Sequence, residues 1–330
     1  MAIGIALLFL FKDNSILSDS AEAASNEGRK LQSTYEPSAA LQLASGKIVV
    51  LEDEVSRALN LMSLDSEGNL VENSIRDQEL NSQLSQDFDD LEGIALSASG
   101  EIYATTSFSR TSKGKQRTNR EKLLRLTFDE NDELVGQQVY LDFVEALKDA
   151  KLLEAINKIN DGKSIKLKDI NIEGLSFDAE KKQLLFGFKK PLVNDLSIII
   201  RLKNPKQVLD GDAKPAFSDQ FSLLDLNGGG IRSLAYDDQL KGFLIANEVD
   251  FGGGPKQSQL WFWSGDQQSE PIALVLPEIV GMENIEAIAQ IKLGTESKVL
   301  VMSDDGSRRN KQPAHYQLIE YADIKSQLEQ

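Results

Sequence analysis

Five segments of the chain repeat one pattern, and this repetition limits the fold more than any other feature. Each segment has a polar or glycine-containing start, an alternating apolar run, a turn and a second, more hydrophobic run; the segments begin at Tyr35, Asp90, Asn171, Gly230 and Asn284. A third strand-like run follows each segment, and a fourth follows most of them. Four strands in each of several repeats are typical of the blades of a β-propeller. The sequence therefore predicts an all-β fold, a β-propeller with five four-stranded blades.

The number and nature of the repeats leave alternatives open. A sixth blade would form if residues 2–17 contributed strands of their own. A β-sandwich with a helical insert would also contain many strands, but it gives no reason for one register to recur five times. The longest interval, between the second and third segments, holds apolar residues at helical spacing over residues 143–160. This interval predicts one inserted helix outside the body of the blades.

The last repeat ends soon after its third strand, so its fourth strand must come from elsewhere in the chain. Residues 28–34 (GRKLQST) lie just before the first repeat. A strand from this stretch would close the ring and remove the open sheet edges that invite aggregation. We therefore expect residues 27–330 to form a single propeller domain, with residues 1–26 as a separate hydrophobic segment and linker.

The N-terminal segment contains an apolar run, Ala2 to Phe11, that is too short to span a bilayer, for which about 20 residues are needed. It fits the core of a secretory signal with Ala21-Glu22-Ala23 as the cleavage site, although a positive start is missing. It fits equally a buried strand or a stretch upstream of the fold. The expected location is periplasmic or secreted, with the cytoplasm as the alternative, and no stable transmembrane span is expected.

Composition excludes several classes of function. Lys and Arg number 36 against 52 Asp and Glu, which gives a net charge of −16 and argues against a nucleic-acid partner. The chain has no cysteine and one histidine, His315, so disulfides, zinc sites rich in Cys or His, and thiol nucleophiles are absent. We expect His315 to be an ordinary strand-edge residue and Trp261 and Trp263 to pack between blades. The chain is expected to be a monomer.

Carboxylates are the main chemical groups that the repeats place at equivalent positions. The starts of the inner strands carry Glu36, Glu92, Glu173, Arg232 and Glu286. Like charges gathered at one channel mouth must be neutralised, either by Arg232 or by a hard cation such as calcium. The second strands end at the same face, and Asp304 is one of several oxygen donors there. The predicted metal ligands are Glu36, Glu92, Glu173, Glu286 and Asp304; the alternative is that each Glu accepts hydrogen bonds from a neighbouring blade.

Basic residues are concentrated in the loops that join second to third strands. Twelve of them lie there, six of these in the loop FSRTSKGKQRTNREK. Such a rim attracts anions, although mobile polar loops also use lysine simply to stay soluble. The predicted anion-binding residues, with Arg232 included from the channel mouth, are Arg232, Arg110, Lys189, Lys190, Arg308 and Arg309.

Two short motifs support a resemblance to known propellers. DLEGIALSASGEIYAT from Asp90 and NIEGLSFDAEKKQLL from Asn171 resemble the repeated motif of the esterase-like phytase propeller domains. YEPSAALQLASGKIVVLEDE and GGGIRSLAYDD resemble a bacterial β-propeller family of unknown function, over roughly residues 30–322. Gluconolactonase-like propellers are similar more loosely, through Glu36 in Y-E-P-S, where Pro37 replaces the expected glycine. The resemblance implies a single propeller, calcium as the cofactor, and Glu92 and Glu173 at the positions of the repeated Glu.

Two functional hypotheses follow from these features. The first is a calcium-dependent hydrolase of a phosphate ester or lactone, in which Glu92 or Glu173 is the catalytic group that orients or deprotonates water. In that hypothesis the basic loops hold the anionic substrate. The second is a non-catalytic propeller that presents its loops to an anionic small molecule or an acidic partner.

Overall fold

The structure is a computed structural model that describes residues 28–111, 113–148, 150–160, 163–249 and 256–329. Within these residues the strands form five antiparallel four-stranded sheets. The innermost strands contact one another in cyclic order, the last against the first. The prediction of a five-bladed β-propeller is therefore confirmed. Residues 2–17, on which a sixth blade would depend, lie outside the described residues.

The strands follow one another from the axis outward in each blade, and the fifth blade takes its outermost strand, β1 (Arg29–Lys30), from the N-terminal side. Blade 1 contains β2 (Pro37–Gln42), β3 (Ile48–Glu52), β4 (Leu59–Leu64) and β5 (Leu70–Val71). Blade 2 contains β6 (Leu91–Leu96), β7 (Ile102–Thr106), β8 (Leu123–Phe128) and β9 (Leu134–Tyr140). Blade 3 contains β10 (Asn171–Asp178), β11 (Gln183–Lys190), β12 (Ser197–Leu202) and β13 (Ser222–Leu224). Blade 4 contains β14 (Ile231–Asp237), β15 (Gly242–Val249), β16 (Gln257–Trp263) and β17 (Ile272–Leu274). Blade 5 contains β18 (Ile285–Leu293), β19 (Glu296–Ser303) and β20 (His315–Glu320), followed by β1.

Both faces of each sheet are buried because every blade packs between two others. All residues of β3 and of β12 are buried along the whole strand, which explains their continuous apolar sequences. The predicted packing of the two tryptophans is confirmed, since Trp261 is 5% exposed and Trp263 is fully buried. They lie in a cluster shared by blades 3 and 4.

Ring closure comes from the N-terminal strand. Arg29 pairs with Tyr316 and Lys30 with His315, so β1 covers the free edge of β20. The contact joins residues at the two ends of the propeller, which ties the first blade to the last.

In the part of the chain that the structure describes, five helices connect or flank the blades: α1 (Ser74–Ser82), α2 (Phe143–Lys148), α3 (Lys151–Ile159), α4 (Pro205–Asp210) and α5 (Tyr321–Leu328). Short 3₁₀ turns lie at Val55–Arg57, Thr118–Arg120, Leu167–Asp169 and Pro277–Ile279. None of the helices in the described part of the chain has the length and apolar character that crossing a membrane requires.

The prediction of one helix over residues 143–160 is wrong in number, because α2 and α3 are separate helices. Ala150 has extended backbone angles just before α3, which interrupts the helical path. The break lets Phe143 of α2 and Ile156 of α3 both turn towards the core between blades 2 and 3. There the Phe143 ring stacks on Phe108, with ring centroids 4.6 Å apart. The apolar spacing predicted helix correctly but did not show the direction of each half.

Candidate functional site

One β-bulge recurs at the same place in all five inner strands and creates a ring of side chains around the axis. In each pair of inner and second strands the register skips one residue on the inner strand. A bulge leaves an extra residue unpaired and re-aims its side chain. The skipped residues, which we call the bulge ring, are Ser38, Glu92, Glu173, Arg232 and Glu286.

The structure corrects the predicted equivalence of Glu36 with the other strand starts. Ser38 occupies the bulge position of blade 1, and its hydroxyl donates to the backbone carbonyl of Leu91 in blade 2. Glu36 lies two residues earlier, beside Glu52 and Glu54. The repeat pattern in the sequence grouped Glu36 with the other carboxylates, whereas in the fold the residue equivalent to them is the one at the bulge, Ser38. Burial and the neighbouring charge of Glu54 raise the pKa of Glu36 above its ordinary value.

A second ring of side chains lies at the ends of the second strands, next to the bulge ring. In each blade, the inner-strand residue just before the bulge pairs with one residue of the second strand. The ring residue is the next residue along that second strand. We call these residues the strand-end ring: Asp53, Ser107, Lys189, Glu248 and Asp304. The structure therefore places the predicted residues Lys189 and Asp304 at equivalent positions of blades 3 and 5.

Half of this site is a network of paired charges. The Lys189 Nζ lies 2.5 Å from Glu173 Oε1, and the Asn171 side chain donates to the same oxygen at 3.1 Å. Arg232 forms ion pairs with Glu286 and with Glu248, the latter with Nη2 and Oε2 2.8 Å apart. The Arg232 Nη1 lies 3.8 Å from Glu173 Oε2. This half of the ring is neutralised by the protein's own side chains.

The other half is a cluster of carboxylates that we call the acidic triad: Asp53, Asp90 and Glu92. One carboxylate oxygen of each lies within 4.8 Å of those of the other two. Asp90 and Glu92 are 6% exposed. The Oδ1 of Asp53 is buried with no hydrogen-bond partner, and so is the Oε2 of neighbouring Glu173. Among the described residues none donates a hydrogen bond to the Glu92 carboxylate.

Burial and mutual repulsion shift the acids of this site towards the protonated form. Burial, followed by the charges of Glu173 and Asp90, raises the pKa of Glu92 well above its ordinary value. Burial and the adjacent Asp90 raise the pKa of Asp53 to about 8. Burial, then Glu36, raise the pKa of Asp304 to about 7. Without a cation these carboxyl groups are protonated at pH values where ordinary carboxyl groups are ionised.

Asp90 is the residue of the triad that the sequence did not indicate. It has a positive φ of 66°, a conformation that Asp adopts more readily than most residues. Arg120 Nη1 lies 2.9 Å from its Oδ2, and Ser109 donates to the same oxygen at 2.7 Å. The signal available in the sequence was a polar residue two positions before the bulge. Asp90 has this position in blade 2, and Asn284 has it in blade 5.

The basic rim is less available to anions than its sequence indicates. Arg308 pairs with Glu54 and, at 3.1 Å, with Glu52, while Arg120 and Arg117 both bind Asp89. The structure does not bring the other predicted residues to the rings: Arg110 and Arg309 are exposed on their loops, and Lys190 is exposed at the end of β11. Of the predicted anion-binding residues, Arg232, Lys189 and Arg308 are therefore paired with carboxylates, and Arg110, Lys190 and Arg309 are exposed to solvent.

His315 lies on the strand that pairs with β1, as expected for an edge residue. Its Nδ1 lies 2.6 Å from Asp305 Oδ2, and the same carboxylate accepts from the His315 backbone N–H at 3.0 Å. The sequence showed no partner for this histidine, because Asp305 reaches it across the loop between β19 and β20.

The fold and the two rings define this protein as a five-bladed β-propeller with a carboxylate-rich axial site. No protein-family model matches the chain, and no curated protein matches it. The chain resembles the PQQ-bound aldose sugar dehydrogenase of Streptomyces coelicolor at 13% identity and a TM-score of 0.43, over 88% of this chain and 96% of that one. It also resembles a GH43 β-1,3-galactosidase with galactodeoxynojirimycin at 10% identity and a TM-score of 0.48, over 86% and 90%. A structure assigned to a gluconolactonase matches at 10% identity and a TM-score of 0.37, over 89% and 82%. These low values carry no argument about activity, and the resemblance to phytase domains stays a prediction.

Proposed function

We propose that this propeller is a divalent-cation-dependent hydrolase of a small phosphate ester or lactone, with calcium as the cation and the acidic triad as its binding site. The observation that carries the proposal is the approach of three carboxylate oxygens to within 4.8 Å of one another in a largely buried site. Asp90 is paired with Arg120, but carboxylates this close together are still unfavourable unless some of them are protonated or bind a cation.

The residues fit a hard cation. All the donors are oxygen atoms, which calcium and magnesium prefer, and calcium accepts six to eight of them. The partnerless Oδ1 of Asp53 is a buried acceptor that a cation would satisfy. Of the predicted ligands, Glu92 belongs to the triad, Glu173 lies beside Glu92, and Asp304 lies beside Glu36 and Glu173. Glu286 is engaged by Arg232, and Glu36 lies beside Glu52 and Glu54, so we assign both to the periphery.

The chemistry follows from the division of the ring into two halves. When bound, a divalent cation would polarise the P–O or C=O bond of the substrate. Glu173 is oriented by Lys189 and Asn171 through Oε1, which leaves Oε2 to accept the proton of a water molecule. Lys189 and Arg232 place positive charge beside the position where an anionic group would develop. We assign Glu92 to cation binding and Glu173 to the activation of water.

The proposal is tested by measuring cation binding and hydrolysis separately. Calcium binding is measured by calorimetry, and hydrolysis with 4-nitrophenyl phosphate and a simple δ-lactone, each with calcium or after its removal. We expect Glu92→Gln to lose calcium binding and hydrolysis together. Glu173→Gln should keep calcium binding within a few-fold but lose hydrolysis by about 100-fold or more, the usual contribution of a general base. Glu130→Gln, an exposed acid in a turn, is the matched control.

One observation favours the second hypothesis, a non-catalytic binding propeller. Arg232 of blade 4 pairs with Glu286 of blade 5, and Arg308 of the loop between β19 and β20 pairs with Glu52 of blade 1, so these charges join neighbouring blades. If Glu92→Gln binds calcium like the wild type, the cation site is wrong. If calcium binds but no substrate is hydrolysed and Glu173→Gln only lowers the melting temperature, the scaffold hypothesis replaces the hydrolase.

A further inference from the structure

Arg201, on β12 of blade 3, is a buried arginine without a carboxylate partner among the described residues. Its side chain is 5% exposed. Nη2 donates to the Ser222 hydroxyl at 2.8 Å, whereas Nη1 is buried without a hydrogen-bond partner. The guanidinium lies 5.9 Å from the centre of the Trp263 ring. A buried charge without a partner is costly, so this position calls for a counter-ion.

The equivalent arginine of the neighbouring blade shows what is missing. In blade 2, Arg125 on β8 pairs with Tyr103, and Tyr103 pairs with Ala95, which lies three residues after the bulge. In blade 3, Arg201 pairs with Leu185, and Leu185 pairs with Ser176, which also lies three residues after the bulge. The two arginines therefore occupy equivalent positions. Arg125 is neutralised by Glu101 at 3.1 Å and by Asp210 at 2.5 Å. The guanidinium at this position therefore has two carboxylate partners in blade 2 and, among the described residues, none in blade 3.

A pocket of about 530 Å³ opens beside Arg201, between blades 3 and 4. It lies at the end of β10 opposite to Glu173, and hence at the other face of the propeller from the acidic triad. Lys181, Lys241 and the amide side chains of Gln220 and Gln267 line it. The acids of the pocket wall form no ion pair or hydrogen bond with the guanidinium: Asp178 acts on it only through its charge and is paired with Lys181 at 3.3 Å, and Glu180 and Asp266 are exposed. Burial lowers the pKa of Arg201, in keeping with its lack of a partner.

We propose that this pocket binds the phosphate or carboxylate group of a small anionic molecule, with the Arg201 guanidinium as its charged partner. A guanidinium presents planar donors that match both groups. The lysines and amides at the rim supply the remaining donors, and Trp263 holds the guanidinium in place from behind. This site is separate from the cation site and does not depend on the proposed hydrolysis.

The experiment titrates the full chain with sodium phosphate and, separately, with sodium acetate, at constant ionic strength set by sodium chloride and in buffer freed of divalent cations. Tryptophan fluorescence reports directly, because the chain has two tryptophans and Trp263 contacts Arg201. We expect a saturable fluorescence change and a rise in melting temperature of roughly 2 to 4 °C at about ten times the dissociation constant. A stronger response to phosphate assigns a phosphorylated ligand, and a stronger response to acetate assigns a carboxylate.

Variants decide whether the response comes from this pocket. Arg201→Met keeps the length of the side chain and should weaken anion binding by at least about tenfold. Arg201→Lys keeps the charge without the planar donors and should weaken it less. Arg125→Met, the same position in blade 2, should respond like the wild type. The proposal is overturned if neither anion gives a saturable response, or if Arg201→Met responds as strongly as the wild type.

Discussion

Asp53 has an environment unlike that of an ordinary surface acid. It follows an apolar strand, and it faces Asp90 and Glu92 with one oxygen lacking any partner. Its pKa of about 8 results from burial first and from Asp90 second. Burial, then the charges of Glu173 and Asp90, raise the pKa of Glu92, so Asp53 and Glu92 hold protons that a cation would displace.

Removal of the Asp53 carboxylate should change how stability depends on pH. An acid whose pKa is higher in the folded state than its unfolded value of about 3.9 binds more protons when folded. Stability is therefore lost as pH rises from about 4 towards the folded pKa of about 8. We expect the melting temperature in a chelator to fall between pH 5 and pH 8, and to fall less steeply in Asp53→Asn.

Calcium gives this measurement an independent check. If calcium displaces the protons of Asp53 and Glu92, adding it to the wild type should flatten the same decline, with little effect on Asp53→Asn. Asp219→Asn, an exposed acid remote from the rings, serves as the control and should follow the wild type. An identical decline in Asp53→Asn and the wild type would contradict the assignment.

The inner-strand bulge is the element that builds the site. It is followed by a small residue in every blade: Ala39, Gly93, Gly174, Ser233 and Ala287. The reason is the close approach of neighbouring inner strands at the axis. A Cβ at Gly93 would lie 2.6 Å from the Cβ of Leu175 in the next blade.

Gly93→Ala should therefore overpack the axis. We expect a loss of about 1–3 kcal/mol in the free energy of unfolding, measured by urea denaturation. Gly136→Ala, on the outermost strand of the same blade, is the matched control, since its nearest neighbour is Thr127 at 3.2 Å. Equal effects of the two substitutions would show that the axis is not as tightly packed as described.

The whole molecule depends on contacts that close the ring between blade 5 and blade 1. The buried Tyr316 of β20 accepts a hydrogen bond from the backbone N–H of Leu70 on β5, at 2.9 Å. This single hydroxyl joins residues from opposite ends of the propeller, alongside the pairing of β1 with β20.

Tyr316→Phe should leave the Leu70 N–H buried without an acceptor. The expected cost is about 1–3 kcal/mol of unfolding free energy, visible as a lower urea midpoint. Tyr140→Phe removes a hydroxyl that makes no hydrogen bond among the described residues, and it should cost less. If the two variants unfold at the same midpoint, the Tyr316 contact does not stabilise closure.

Particular residues show how far the sequence carried the interpretation. The repeated alternation around Asp90, Asn171 and Asn284 was sufficient to predict the five blades, because each blade is a local unit of consecutive strands. Glu92, Glu173, Arg232 and Glu286 were correctly grouped, since identical bulges place them alike. Glu36 was not, because its position depends on a register that only the pairing of β2 with β3 fixes.

The sequence by itself determined the architecture and the acidic character of the axis, because strand periodicity and repeat spacing are properties of neighbouring residues. Tertiary structure decided which carboxylates meet, which basic side chains they pair with, and which charges are left without a partner. Asp53 meets Asp90 from another blade, and Arg201 lacks the acids that Arg125 has. Such distances arise from packing between blades, where residues far apart in the chain come within a few ångströms, and no local pattern encodes them.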